Sequence, residues 1–202
     1  MSSLTTRLAV ALAGVLTPLF LSACSTSGPD RRSEHPSHTD KPLVTGQPAG
    51  YNADDVEFVD GMLACDQQGV DLSGLVPDRS TDPDVVKLAA NSAAVRQSDI
   101  AVLRVLRVQW EENPDIKAGG GPHGTTLTGR VDDATIARLN SSHGNEFDTL
   151  WLRSMIGLNQ GAVELSNAEI ANGKNVDAID VARRTVQARQ AEIDQMKHIL
   201  GN

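Results

Sequence analysis

Met62, Cys65 and Asp66 stand three and four positions apart, so on a helix their side chains share one face. A thioether and a thiol are soft donors suited to Cu(I), and the carboxylate beside them adds an ionisable group. Met155, Leu158 and Asn159 repeat the spacing 93 residues later, keeping the methionine but not the thiol or the carboxylate. Met196 supplies one more thioether. Two readings of these positions stand side by side. Met62, Cys65, Met155 and Met196 converge as a site for a reduced metal, or they fill the core, as methionine and cysteine commonly do. Asp66 poses its own problem, because a carboxylate on a core-facing stripe is costly unless it is paired. Arg96 and Arg189, also 93 residues apart, lie on the interior stripes of two later helices. Either an arginine pairs with Asp66 inside, or both sit at the stripe edges and snorkel to water.

The elements that position these residues come from a duplication. Residues 55–103 align without a gap on residues 148–196 at a constant offset of 93, with 11 identities in 49 positions. Val70-Asp-Leu-Ser73 falls on Val163-Glu-Leu-Ser166, and Arg96-Gln97 on Arg189-Gln190. Such self-similarity predicts a pseudo-symmetric fold with equivalent positions facing each other across an internal axis.

The first unit reads as a helix from about residue 52 to Val76, broken by Pro77 to Ser80. A second helix starts at Asp82-Pro83-Asp84, an acidic cap with proline in the first helical position, and runs to Glu112 before Asn113-Pro114. Its stripe is Val86, Ala89, Ala93, Arg96, Ile100 and Leu103. Residues 115–130 carry Gly119-Gly-Gly-Pro-His-Gly124 without the strand and Lys-Ser/Thr context of a phosphate loop, and read as a loop. A short helix over 132–140 bridges to a third long helix, about 145–171, for which Asn172-Gly173 predicts a left-handed cap. The fourth long helix, about 175–200, presents Ile179, Ala182, Val186, Arg189, Ile193, Met196 and Leu200. No stretch reads as strand. The expected architecture is an all-α four-helix bundle built from two repeated helical hairpins, about 52–112 and 145–200.

Residues 1–23 have the layout of a secretory signal: Arg7, then an apolar run from Leu8 to Leu21, then small residues before Cys24. Leu21-Ser-Ala-Cys24 resembles the bacterial lipobox, which implies lipidation of Cys24 and a mature chain starting there. Residues 24–50 are rich in Ser, Pro, Gly and Asp and read as a flexible tether, with His35 and His38 as solvated linker residues. Residues 51–202 form one domain. Loss of Arg7 with the signal takes the net charge from −8 to −9, which argues against nucleic acid and against charge-driven binding to anionic headgroups. The membrane is then a partner only through the lipid, and the protein an extracytoplasmic one. With Cys24 lipidated, Cys65 is the one remaining thiol, to be buried, metal-bound or paired between chains.

The same residues resemble the bacterial domain-of-unknown-function family 305, a ferritin-like fold, over about residues 52–200. The family's repeat runs Met-x-x-His-His-Gln-x-Ala and, one helix later, Gln-x-Glu-Ile-x-x-Met. Here the copies read Met62-Leu-Ala-Cys65-Asp66-Gln67-Gln-Gly69 and Met155-Ile-Gly-Leu158-Asn159-Gln160-Gly161-Ala162. The closing motifs read Gln97-Ser-Asp99-Ile100 and Gln190-Ala-Glu192-Ile193-Asp-Gln-Met196. The resemblance implies copper binding in the cell envelope through histidine pairs and abundant methionines. In this chain Cys65-Asp66 and Leu158-Asn159 replace both His-His pairs. A di-iron site would need Glu-x-x-His, which is absent, and no Ser/His/Asp arrangement is visible. The expectation is therefore a non-catalytic binding or structural module without a cofactor. Its alternative is copper bound through Met62, Cys65, Met155 and Met196. The sequence names no protein partner or ligand.

Overall fold

Four of the five α-helices among the described residues begin where a short polar side chain takes up free backbone N–H groups; α4, entered from His143, has no such cap. The computed structural model describes residues 50–111 and 128–201. The signal segment, Cys24, the tether up to residue 49 with its two histidines, and the glycine-rich run with His123 lie outside the described residues.

Helix α1 spans Ala53–Ser73 and opens with a capping box, Asn52 and Asp55 each accepting from the other's backbone N–H. It stops at Ser73, three residues before the expected end, and a single 3-10 turn follows at Val76–Asp78. Helix α2 spans Pro83–Glu111, with Asp82 accepting from Asp84 and Val85 at 2.8 and 3.3 Å. Helix α3 covers Asp133–Ser141, α4 Gly144–Asn172 and α5 Val176–Leu200. Among the described residues there is no strand, and no helix is long and apolar enough to cross a membrane.

Three contacts fix the directions. Tyr51 stacks on Trp110 with ring centroids 4.9 Å apart, so α1 begins where α2 ends. Trp151, near the start of α4, donates to Leu72 O at 3.1 Å, and Asn52 donates to Asn172 O at 2.8 Å. Helices α1 and α4 are therefore antiparallel as well. The molecule is two hairpins, α1–α2 and α4–α5, joined face to face mainly through α1 and α4.

The connection into α3 lies flat on α4. Gly157 and Gly161 leave a strip without side chains, and Thr128 and Gly129 settle on it. A Cβ on Gly161 would lie 1.7 Å from Thr128 O, and Gly129 (φ +81°) adopts a left-handed backbone that favours glycine. Two residues on, Gln68 of α1 holds Val131 by both amide atoms, donating to Val131 O at 2.8 Å and accepting from Val131 N at 2.9 Å.

Two expectations are corrected. Gly173 does not cap α4 in the left-handed region; its φ of −63° and ψ of 156° are extended. The chain leaves the helix in this direction because the next two backbone N–H groups, of Lys174 and Asn175, are drawn to Asp55. Two positions of each interior stripe shift by one residue, while Ala89, Arg96, Ile100 and Leu103 and their counterparts Ala182, Arg189, Ile193 and Met196 are buried as expected. Val86 and Ala93, and their counterparts Ile179 and Val186, are only half-buried, while Val85, Ser92, Ala178 and Thr185 are buried. A pattern read from apolar residues passes over Ser92 and Thr185 because they are polar. They are inside because the centre of the bundle is polar.

Candidate functional site

The centre lies halfway along α1 and α4, where Cys65 donates to Leu158 O at 3.7 Å, a contact between positions 93 apart. One residue further along α1, Asp66 is fully buried. Its Oδ1 accepts from Arg96 Nη1 of α2 at 2.9 Å and from Arg189 Nη2 of α5 at 2.8 Å. Arg96 is 0% exposed and Arg189 1%, so neither snorkels to water. Gly69, one turn after Asp66, makes the room: a Cβ there would lie 2.4 Å from Arg96 Nε.

Around this shared oxygen the hairpins exchange partners. Arg96 of the first hairpin donates to Asn159 Oδ1 of α4 and to Glu192 Oε2 of α5 at 3.3 Å. Arg189 of the second donates to Asp99 Oδ2 of α2 at 2.9 Å. Asn159 also donates to Glu192 Oε2 at 2.9 Å, and Ser92 Oγ accepts from Arg96 Nε at 3.2 Å. Asp99 and Glu192 are themselves 93 positions apart, so each arginine reaches the acid of the opposite repeat. The correspondence breaks in the middle, with a carboxylate at 66 and an amide at 159, and at the Nε atoms, where Ser92 accepts from Arg96 but Thr185 does not from Arg189. Two guanidiniums thus face three carboxylates, with Asp66 Oδ2 and Arg189 Nε left without hydrogen-bond partners.

Two small cavities flank the network in the groove between α2 and α5, with volumes of about 220 and 210 Å³. Every residue lining the first has its counterpart, 93 positions away, among those lining the second. Val95, Asp99 and Thr185 of one answer to Ala188, Glu192 and Ser92 of the other. The duplication is therefore visible in the surface as well as in the sequence.

Met62, Cys65, Met155 and Met196 are all buried in the same core. Burial pushes the Cys65 thiol up to about 11, against the pull of the nearby Arg96 guanidinium. At neutral pH it is a protonated thiol, whereas the thiolate is the metal ligand. Burial likewise raises the Asp66 carboxyl, opposed by Arg189 and Arg96. Among the described residues no group of three or more His, Cys, Asp or Glu is placed to hold a metal ion. A cation in this layer would also meet two guanidiniums, with the carboxylate between them already engaged. The donor set does not fit a metal centre of the histidine-pair kind.

Asp99, Glu192, Ser92 and Gly69 complete the site beyond the candidate residues weighed in the sequence, and Asn159, there only the counterpart of Asp66, joins them as an acceptor for Arg96. For the two acids a signal existed: Arg96-x-x-Asp99 and Arg189-x-x-Glu192 place an acid one turn after the arginine in both copies. Gly69 had none, since a helical glycine is readable as room for a guanidinium only once Arg96 is placed.

Fold and site together define an all-helical bundle of two hairpins closed around a buried ion network. The family model described as Domain of unknown function (DUF305) matches residues 55–200, and the chain belongs to that family. Solved structures agree on the fold. A putative secreted DUF305 protein from Streptomyces coelicolor is 23% identical with a TM-score of 0.66, covering 73% of this chain and 92% of that one. A DUF305 fragment from Deinococcus radiodurans is 24% identical with a TM-score of 0.65, covering 77% and 99%. CopM in the Cu(I)-bound form is 22% identical with a TM-score of 0.59, covering 73% and 96%. No curated protein matches the chain.

Removing one arginine leaves a buried carboxylate short of its counter-charge, so Arg96→Met is expected to destabilise the domain by about 3–5 kcal/mol. Arg107→Met breaks an exposed pair with Asp60 and is expected to cost about 1 kcal/mol or less. Urea unfolding of the two variants measures the contrast, and equal losses would contradict it.

Proposed function

We propose that this chain is a lipid-anchored, extracytoplasmic protein whose DUF305 domain is a non-catalytic binding or structural module. In it the buried ion network stands in for a metal centre. The observation that carries this reading is the Asp66 oxygen shared by Arg96 and Arg189 beside Cys65. Charge that a cation would bring to this layer is supplied by two guanidiniums, and the histidine pairs that suit a borderline metal are replaced by Cys65, Asp66, Leu158 and Asn159. Leu158 has no lone pair, and the Asn159 amide is engaged on both sides by Arg96 and Glu192.

A second reading keeps copper, bound through Met62, Cys65, Met155 and Met196. It is favoured by the burial of all four soft side chains in one core and by the similarity to CopM, solved in Cu(I)-, Cu(II)- and Ag-bound forms. Titration of the purified protein with Cu(I) against a competing chelator, under reducing conditions, separates the two. The expected result is no stoichiometric binding. Stoichiometric binding that Cys65→Ser abolishes would establish the second reading in place of the first.

The anchor rests on Leu21-Ser-Ala-Cys24 following the apolar run. Cys24→Ser is expected to accumulate as unprocessed, unlipidated precursor when radiolabelled fatty acid is supplied to the producing cells. A variant processed and localised like the parent would remove the anchor from the proposal.

A further inference from the structure

A second buried polar cluster lies at the end of the bundle where α1 begins and α4 turns into α5, away from the central network. Asp55 is fully buried there, and its carboxylate is an organiser of backbone. Its Oδ1 accepts from Lys174 N at 3.0 Å and Asn175 N at 2.8 Å, and its Oδ2 accepts from Asn52 N. Asn175 in turn caps α5, accepting from Asp177 N and Ala178 N. One carboxylate therefore ties the start of α1 to the start of α5.

Glu169, in the last turn of α4, is 1% exposed, and neither of its carboxyl oxygens receives a hydrogen bond from any donor. Its carboxyl group packs against Gly173, and the next two residues, Lys174 and Asn175, donate to Asp55, so the two carboxyl groups face each other across the turn. Two carboxylates cannot hydrogen-bond to each other; a carboxylic acid and a carboxylate can. Asp55 already accepts from three backbone N–H groups, whereas the Glu169 oxygens have no donor, so the proton belongs on Glu169.

We infer that Glu169 and Asp55 share one proton and form a pH-operated latch joining the α4–α5 turn to the start of α1. While Glu169 is protonated, its O–H donates to Asp55 and completes the cluster. When the proton leaves to solvent, two buried like charges face each other. The turn relieves that repulsion by moving Glu169 and the chain after it outward, which releases the Lys174 and Asn175 N–H groups from Asp55. Compensating charge is scarce. From α1, Asp54 adds further repulsion. In the turn, the Lys174 ammonium lies beside Gly50, and the first turn of α5 offers Asp177. The C-terminal end of α4 itself disfavours an anion.

Burial, then Asp55, push Glu169 from its ordinary range up to about 8. The folded state thus holds a proton that the unfolded chain loses at lower pH, and stability falls as pH rises between the two values. The test follows thermal unfolding of the purified protein and of Glu169→Gln between about pH 5 and 9. The amide can donate to Asp55 but cannot titrate. Relative to Glu169→Gln, the parent is expected to lose roughly 5 °C or more across this window. Its Lys174 and Asn175 amides should exchange faster at the alkaline end, beyond their intrinsic rates. Parallel melting curves for parent and variant would overturn the latch. Where Glu169→Gln fails to fold, NMR titration of the Glu169 carboxyl carbon in the parent decides. A midpoint above about 6.5 supports the shared proton, and a midpoint at or below it overturns it.

Discussion

One oxygen of Asp66 accepts hydrogen bonds from two arginines that are themselves out of contact with water, and most of the interior follows from that. Burying two guanidiniums beside a single carboxylate is unfavourable unless further acceptors complete the shell. Asp99, Glu192, Asn159 and Ser92 do so. Each demands a feature of the sequence: a glycine at 69 to admit the Arg96 side chain, a hydroxyl at 92, and acids one turn past each arginine. Since Arg96 reaches Glu192 and Arg189 reaches both Asp66 and Asp99, the charges of the two hairpins are satisfied jointly. The network is a condition for joining the halves in one register.

The duplicated halves meet in a nearly symmetric arrangement of charges in which the central pair, Asp66 and Asn159, differs in charge. Two aspartates there would place two negative charges side by side. Two asparagines would leave both guanidiniums to the half-buried acids at the rim. The mixed pair supplies one central charge to be shared and one amide that both accepts from Arg96 and donates to Glu192. This is a physical reason for the two repeats to have diverged at the position where the family's motif places identical residues.

Much of the fold was legible because helices declare themselves locally. Asn52, Asp82, Asp132 and Asn175 mark starts by side-chain chemistry alone, and the offset of 93 announces paired hairpins. What escaped depends on partners distant in the chain. Ser92 and Thr185 interrupt the apolar pattern, so at that turn the pattern points to their half-buried neighbours Ala93 and Val186 instead. Gly173 resembled a left-handed cap, but its conformation is set by Asp55, over a hundred residues earlier. Glu169 stood on a helix face with nothing nearby to suggest a carboxyl partner. For Asp66 the sequence left two outcomes open, and side-chain burial distinguishes them: the arginines had the reach to snorkel and the interior held them.

The central claim is that Asp66 and the arginines act as one buried unit. The most direct measurement is the coupling free energy between Asp66→Asn and Arg189→Met, from urea unfolding of the two single variants and the double variant. A shared buried pair predicts that the double loss falls short of the summed single losses by about 1.5 kcal/mol or more. Additivity within about 0.5 kcal/mol would show that the two residues do not depend on each other, and would contradict the account.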